Sequence, residues 1–259
     1  MMHRLRRIQR LVHYRLARLR PATRTIIAPE GAAPGRYEVG LAIAAYNRPE
    51  YLRRMLEHLE RSVLDHTIVA IVDDASASAD TRQLIRDLSL GSTPIVKIFR
   101  TRRRGYAVHE ALRDAWDVLA DEYGCRLLAN VDSDTIMKPE WLQRLVEVFR
   151  RERARQGPLI VTGFNSRKHH EIMETAADYR RKSSIGGLNM LFDAGLYRQV
   201  VRPSLQYEPA SQVGWDWYVV GRMRALGYPL LSLTPSVVQH IGAVGQFSHP
   251  GQYDVADDY

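Results

Sequence analysis

The chain has 259 residues, 45% of them hydrophobic and 25% charged, enough for one folded α/β domain and free of low-complexity or repeated tracts. Its single cysteine, Cys125, excludes an intramolecular disulfide and suits a reducing compartment; no apolar run is long enough to span a bilayer, and the N-terminus lacks the apolar core of a secretion signal. The formal net charge of +8 invites a nucleic-acid partner, but eight arginines and no acid precede Glu30, and without those eight the remaining bases balance the 29 acids, which argues against one.

Leu5, Ile8, Val12, Leu16 and Leu19 recur at helical spacing, with Arg4, Arg6, Arg7, Arg10, Arg15, Arg18, Arg20 and Arg24 across the rest of the surface. This predicts a basic amphipathic helix within residues 1–29. Residues 1–20 can lie on an anionic membrane surface, or the helix can pack on the body or on a partner. Pro21 to Pro34 is rich in prolines, glycine and small residues and reads as a connection, with 30–35 as the linker before a body that starts near Arg36.

Val39 to Ala45 is an apolar strand, followed by Tyr46, Asn47, Arg48 and Pro49. Pro49 fits the first turn of a helix carrying Leu52, Met55, Leu56 and Leu59. Ile68 to Val72 is a β-branched strand ending in Asp73, Asp74, Ala75 and Ser76; a helix follows from about Thr81 to Leu88. Ile95 to Phe99 predicts a third strand, and Arg102, Arg103, Arg104 and Gly105 a basic loop before a helix with Val108, Leu112 and Trp116. The fourth strand, Leu127 to Val131, stops at Asp132, Ser133 and Asp134, and Pro139 then opens a helix with Trp141, Leu142, Leu145, Val146 and Phe149. Four alternations predict a layered, Rossmann-like α/β fold with a mainly parallel central sheet.

Beyond Gln156 the alternation loosens. Leu159 to Phe164 predicts a strand, Ser166 to Ser184 is polar with a basic-rich loop at Arg167, Lys168, His169 and His170, and Gly186 to Phe192 is a glycine bend entering a strand. Gly214 to Tyr218 opens a helix with Val219, Val220 and Met223, and Val237 to Gly242 places His240 at the end of a short strand.

Acids thus stand twice at strand ends, where open α/β sheets bind ligands. Asp132 and Asp134, one residue apart, can divide work between a divalent metal and a sugar or nucleotide hydroxyl. A uracil ring offers one N–H between two carbonyls, which Asp73 or Asp74 could read together with an arginine from 102 to 104; guanine also presents N–H groups. The plainer readings are a solvated turn at Asp132–Asp134 and helix capping at Asp73 and Asp74. Asp216 between Trp215 and Trp217 suits a sugar site, or is an acid placed at a helix N-terminus by the dipole. His240 taken alone reads as a structural histidine. No GxGxxG follows the first strand, which argues against a dinucleotide oxidoreductase.

Taken together, AIAAYNRPEYLRRML, IVDDAS, NVDSDTIMKPEWL, GGLNMLF, GWDWYVVGRM and VQHIG resemble, in order and spacing, the inverting nucleotide-sugar glycosyltransferases of the GT-A fold, family-2 type. The resemblance covers most of Val39 to Gly242. It implies a catalytic domain over 36–259, with a nucleotide-binding half to about residue 134 and an acceptor half from about 135. It implies a nucleotide-sugar site drawing on Ala45, Tyr46, Asn47, Arg48, Asp73, Asp74, Arg104, Ser133, Gly187 and Trp215, with Asp132 near ribose or phosphate. Asp134 would bind a metal, completed by His240, and Asp216 would be the catalytic base. The family often has Glu-Asp at the base, whereas Trp215 precedes Asp216 here. A carboxylate and diphosphate oxygens suit Mg²⁺ or Mn²⁺, and an imidazole shifts the preference to Mn²⁺. The expected donor is a UDP-sugar and the expected acceptor a glycan or lipid-linked hydroxyl, at the cytoplasmic face of a membrane. A nucleotidyltransferase shares the strand-end acids but should carry a glycine- and arginine-rich loop after the first strand, which AAYNRPEYL lacks. A non-catalytic lipid- or nucleic-acid-binding protein would act through the arginine leader alone.

Overall fold

The computed structural model describes residues 23–103, 108–169, 171–206, 213–245 and 253–259. The helix expected in residues 1–20 and Arg104 lie outside the described residues.

The centre of the fold is built by mostly apolar runs. β2 (Val39–Ala45), β3 (Thr67–Asp73) and β5 (Leu127–Val131) are buried along their whole length, as parallel strands covered on both faces must be. With β4 (Ile95–Arg100) they run parallel in the order β4-β3-β2-β5, Leu41 lying level with Val69 on one side and Ala129 on the other. Alternation along the strands sends Leu41, Ile43, Val69 and Ile71 to one face and Ala42, Ala44, Ala70 and Val72 to the other.

Each face has its own helices. The first is covered by α1 (Pro49–Glu60), which buries Leu52, Met55, Leu56 and Leu59, and by α2 (Ala79–Asp87), whose first turn is capped by Ser78 Oγ accepting from Thr81 N at 3.3 Å. The second is covered by α3 (His109–Asp117), prolonged by a π-helical turn over Val118–Glu122. α4 (Trp141–Gln156) returns to the first face, and α5 (Trp215–Ala225) to the second. Gly40 lets the π turn approach: a Cβ there would lie 2.8 Å from Leu119 Cβ. Cys125 is buried beside it, its thiol pushed up to about 12 by desolvation, too high for a thiolate nucleophile at neutral pH.

The flanks depart from the sequence reading. Arg24–Ile27, expected in the leader and its connection, is an edge strand, β1, paired antiparallel with β4 so that Arg24 lies opposite Arg100. Its side chains are mostly exposed, so no hydrophobic pattern announced it. On the other side β5 is followed by β10 (Asn189–Asp193), β7 (Ile160–Thr162), β11 (Leu230–Leu233), β9 (Tyr179–Lys182) and β8 (Ile172–Thr175), with antiparallel pairing except between β7 and β11. β8 and β9 lie within the polar stretch 166–184, where no strand was expected. All four β8 residues are exposed and β9 buries only Tyr179 and Lys182, so a lysine occupies a position where an apolar residue would have marked a strand. Lys182 Nζ is satisfied there by Asn165 Oδ1 at 2.7 Å and Ser166 O at 3.0 Å.

A two-stranded sheet of β6 (Thr135–Met137) and β12 (Val238–His240) lies apart from the large one and sets His240 opposite Thr135. Among the described residues no helix is long and apolar enough to cross a membrane.

Candidate active site

β3 and β4 follow β2 on one side of the sheet and β5 lies on the other, so the strand order reverses between β2 and β5. Such a switch point opens a crevice at the carboxyl ends of the strands. Ala45 ends β2 and its carbonyl accepts from Asp74 N at 2.8 Å, tying the two strand ends together. Asn47 and Arg48 both take the left-handed conformation (φ 52° and 55°), as does Ala75 (φ 59°) in the facing loop. Each costs roughly 1–3 kcal/mol unless its surroundings hold it. They are held: Asn47 Oδ1 accepts from Ala77 N at 2.9 Å and Ser78 N at 3.1 Å, and Asn47 N donates to Ser76 Oγ at 2.8 Å. The strained turn aims Arg48 across the crevice, where Nη1 donates to Asp134 Oδ2 at 2.8 Å and to Val244 O at 3.2 Å.

The neighbouring acids have different tasks. Asp73 is fully buried and its Oδ1 accepts from Ser76 N at 3.1 Å, so it stabilises the turn after β3. Asp74 receives Arg100 Nη1 at 2.7 Å and Arg103 Nε at 3.0 Å; burial raises its pKa despite both guanidiniums. Arg103 in turn lies 3.9 Å from the centre of the half-exposed Tyr46 ring. Tyr46, Asp74 and Arg103 therefore form one patch at the strand ends. The sequence foresaw an acid with an arginine from 102 to 104; Arg100, a core guanidinium at the end of β4, was missed.

On the other side of the crevice, Asp132 N donates to Leu188 O at 3.0 Å, and Ser133 is buried between the two acids of the Asp-x-Asp. The β6–β12 pairing brings His240 to Asp134, Nε2 to Oδ2 at 3.4 Å, and Ile241 N donates to Asp134 O at 2.9 Å. His240 Nδ1 lies 3.1 Å from Asp254 O, which leaves Nε2 for the carboxylate side when Nδ1 carries the proton. Burial opposes a charged imidazole, but Asp134 overrides it and His240 is raised, while His240 and Arg48 hold Asp134 below its usual value against its own desolvation. Asp132 is driven well above the carboxylate range, by desolvation first and by the charge of Asp134 second; His240 and Arg48 oppose this and Asp216 adds to it. Gly242, not singled out from the sequence, completes the cradle: a Cβ there would overlap Asp134 Oδ2 and lie 2.7 Å from His240 Nε2.

These residues fit a divalent ion. A carboxylate oxygen and an imidazole nitrogen converge 3.4 Å apart, with Arg48 Nη1 2.8 Å from the same oxygen. Among the described residues no group of three or more His, Cys, Asp or Glu side chains forms a cage, so such an ion would need oxygens from a ligand.

Asp216 stands in the first turn of α5, its Oδ2 accepting from Gly187 N at 3.2 Å. Its pKa is raised by desolvation, which outweighs the backbone N–H groups of Trp217, Gly187 and its own residue. Gly187 is required by proximity, since a Cβ would lie 2.7 Å from Trp215 Cζ2 and 3.0 Å from Asp216 Cβ. Its carbonyl accepts from Asn130 Nδ2 at 2.8 Å, which ties the loop before β10 to β5. Trp215, expected among the ligand-binding residues, is 5% exposed and packs edge-on against Trp116 at 5.9 Å. It is a core residue that seats Asp216, because the first turn of α5 directs it inward to the second face of the sheet. Trp217 is the exposed one, at 52%.

A doubly covered sheet with parallel central strands, acids at its switch point and a histidine delivered by a separate two-stranded sheet defines the GT-A class of fold. Residues 41–201 match Glycosyl transferase family 2, and the chain belongs to that family. Its fold is similar to that of TarS from S. aureus, residues 1–349, with a TM-score of 0.59 and 13% identity, covering 80% of this chain and 61% of that one. TarS 1–349 in complex with UDP gives a TM-score of 0.55 and 12% identity, covering 78% of this chain and 59% of that one. The mannosyltransferase PcManGT from Pyrobaculum calidifontis, in complex with GDP-Man and Mn2+, gives a TM-score of 0.54 and 20% identity over 91% of this chain and 65% of that one. The chain thus spans less than two thirds of each, and the likeness is one of fold. No curated protein matches it in sequence.

Proposed function

We propose that this chain transfers a glycosyl unit from a nucleoside-diphosphate sugar to an acceptor hydroxyl by a single displacement that inverts the anomeric centre. The observation that carries the reading is the convergence of Arg48, Asp134 and His240 at the strand ends, Arg48 Nη1 2.8 Å and His240 Nε2 3.4 Å from Asp134 Oδ2, three residues scattered between positions 48 and 240. A diphosphate sugar has one part for each side of the crevice. Asp74 would accept the uracil N–H while Arg103 donates to a carbonyl beside it, and Tyr46 would offer its face to the ring. Each oxygen of Asp74 has a lone pair beyond the one its arginine uses. UDP and GDP-Man are both seen in the solved neighbours; the acid–arginine pair suits the N–H between two carbonyls of uracil.

Asp216 would take the proton of the acceptor hydroxyl as that oxygen bonds to the anomeric carbon and the diphosphate departs with the electrons of the broken bond. Arg48, tethered by its strained turn, would face the leaving phosphates. Asp134 and His240 would hold Mn²⁺ or Mg²⁺, which supplies charge neutralisation to the departing diphosphate. The acceptor is a glycan or lipid-linked hydroxyl, met at an anionic cytoplasmic membrane face through the arginine leader.

A screen of nucleotide sugars for nucleoside-diphosphate release, in chelator and with Mn²⁺ or Mg²⁺ restored, tests this. UDP-sugars should be turned over, most strongly with Mn²⁺, and Asp134→Ala should lose the metal response. Undiminished turnover in chelator would remove the metal site, and silence with every donor would remove the activity.

A further inference from the structure

The protein has four tryptophans. Trp116 and Trp141 are fully buried and Trp215 nearly so, whereas Trp217 is 52% exposed, one residue beyond the proposed base. Leaving a large aromatic face in water forgoes the burial that normally stabilises such a side chain. Nor is the ring loosely placed. It lies against His169 at 5.2 Å between centroids and 37° between planes. His169 is itself buried, with its N donating to Ser166 Oγ at 3.2 Å and its Nδ1 2.8 Å from Ser184 Oγ.

Two glycines connect this pair to Asp216. A Cβ on Gly186 would lie 3.6 Å from His169 Nε2, and a Cβ on Gly187 would meet Trp215 and Asp216. Gly186 and Gly187, which carry no side chains themselves, thus run from His169 to Asp216. An aromatic face braced from behind, a floor of two glycines and a raised carboxyl at its rim match the shape of a pyranose: an apolar face of C–H groups with hydroxyls around the edge.

We infer that Trp217, braced by His169, is the acceptor platform: the terminal pyranose ring of the acceptor stacks on the indole and presents one hydroxyl to Asp216. This rests on Asp216 being the base, and it narrows the acceptor to a ring sugar, as opposed to an acyclic polyol phosphate or a bare lipid phosphate.

Because the other three tryptophans are buried away from any bound sugar, a change in intrinsic fluorescence on adding a pyranoside reports mainly on Trp217. Titrating the full chain with methyl pyranosides of glucose, galactose and N-acetylglucosamine should give a saturable change with at least one of them. Glycerol 3-phosphate and ribitol 5-phosphate should give none. In Trp217→Ala the pyranoside response should vanish, and in transfer assays the acceptor KM should rise about tenfold, the equivalent of one good aromatic contact. The donor KM should stay in place, and Trp217→Phe should recover most of the acceptor affinity. No response to any pyranoside, an equal response to the acyclic phosphates, or an unchanged acceptor KM in Trp217→Ala would overturn the platform. So would a donor KM that rises in parallel, since that marks a merely structural tryptophan. A chain that binds pyranosides through Trp217 yet releases diphosphate from no donor would instead contradict the transferase reading and leave the platform standing.

Discussion

A sugar hydroxyl is a weak nucleophile at neutral pH, and in the proposed reaction Asp216 would correct that: it is partly buried, raised by desolvation, and oriented by Gly187 N and the first turn of α5. Asp216→Asn keeps the shape and can still accept from Gly187 N but cannot take a proton. Its kcat should fall by about 10²–10⁴-fold with donor binding preserved, as loss of a general base typically costs; near-normal turnover would remove Asp216 from the role. The shift also sets a pH signature. The base works deprotonated, so the acid limb of kcat should lie above the ordinary aspartate value of about 3.9. For stability the sign is opposite. A folded carboxyl raised above its unfolded value contributes stability that is complete below the unfolded pKa and lost as pH rises through the raised one. Asp216→Asn should therefore melt higher than wild type near pH 7, with the gain shrinking in acid; a lower melting point at pH 7 would contradict the desolvation argument. At the other end of the crevice, Gly242→Ala would drive a methyl group into Asp134 and His240. Transfer and its Mn²⁺ response should collapse while titration with UDP alone, read by calorimetry, is much less affected.

At the level of elements, what was legible was what water and burial dictate directly. β2, β3 and β5 are mostly apolar and buried throughout, and α1 and α4 carry clean stripes, so strand ends and the acids on them could be placed from the sequence. His240 was legible as a strand end, and the family resemblance set it beside Asp134; what the sequence did not reveal was the β6–β12 pairing, across about a hundred residues of chain, that makes the contact. Trp215 and Trp217 were indistinguishable in sequence, since the helix phase that buries one and exposes the other depends on packing against Trp116. β1 was hidden for the opposite reason: an edge strand facing water carries no alternation. It nevertheless reaches the site. Arg24 Nη1 lies 3.0 Å from Asp114 Oδ1, Asp114 Oδ2 3.1 Å from Arg100 Nε, and Arg100 bonds Asp74. Truncation before Thr23 should leave the melting temperature near wild type. Removal of residues 1–29 should lower it by several degrees, at roughly 2–4 °C per kcal/mol for a domain of this size, and should weaken UDP binding. Equal melting points for the two truncations would show that β1 contributes nothing.

Across the whole molecule, charge is divided as the work is. The body is formally balanced and the excess lies in arginines before Glu30. A chain lacking residues 1–22 should bind anionic vesicles much less than the full chain, and the difference should shrink as salt rises, with activity on a soluble acceptor retained. Equal vesicle binding would place the surface contact on the body. The proposed reaction makes a stereochemical commitment: with Asp216 as base on the acceptor side and the diphosphate on the other, there would be one displacement and no covalent sugar on the protein. The most direct test is the anomeric configuration of the product, read by proton NMR from a UDP-sugar whose sugar is α-linked: a β-linked product is predicted, and an α-linked product would contradict the single-displacement account.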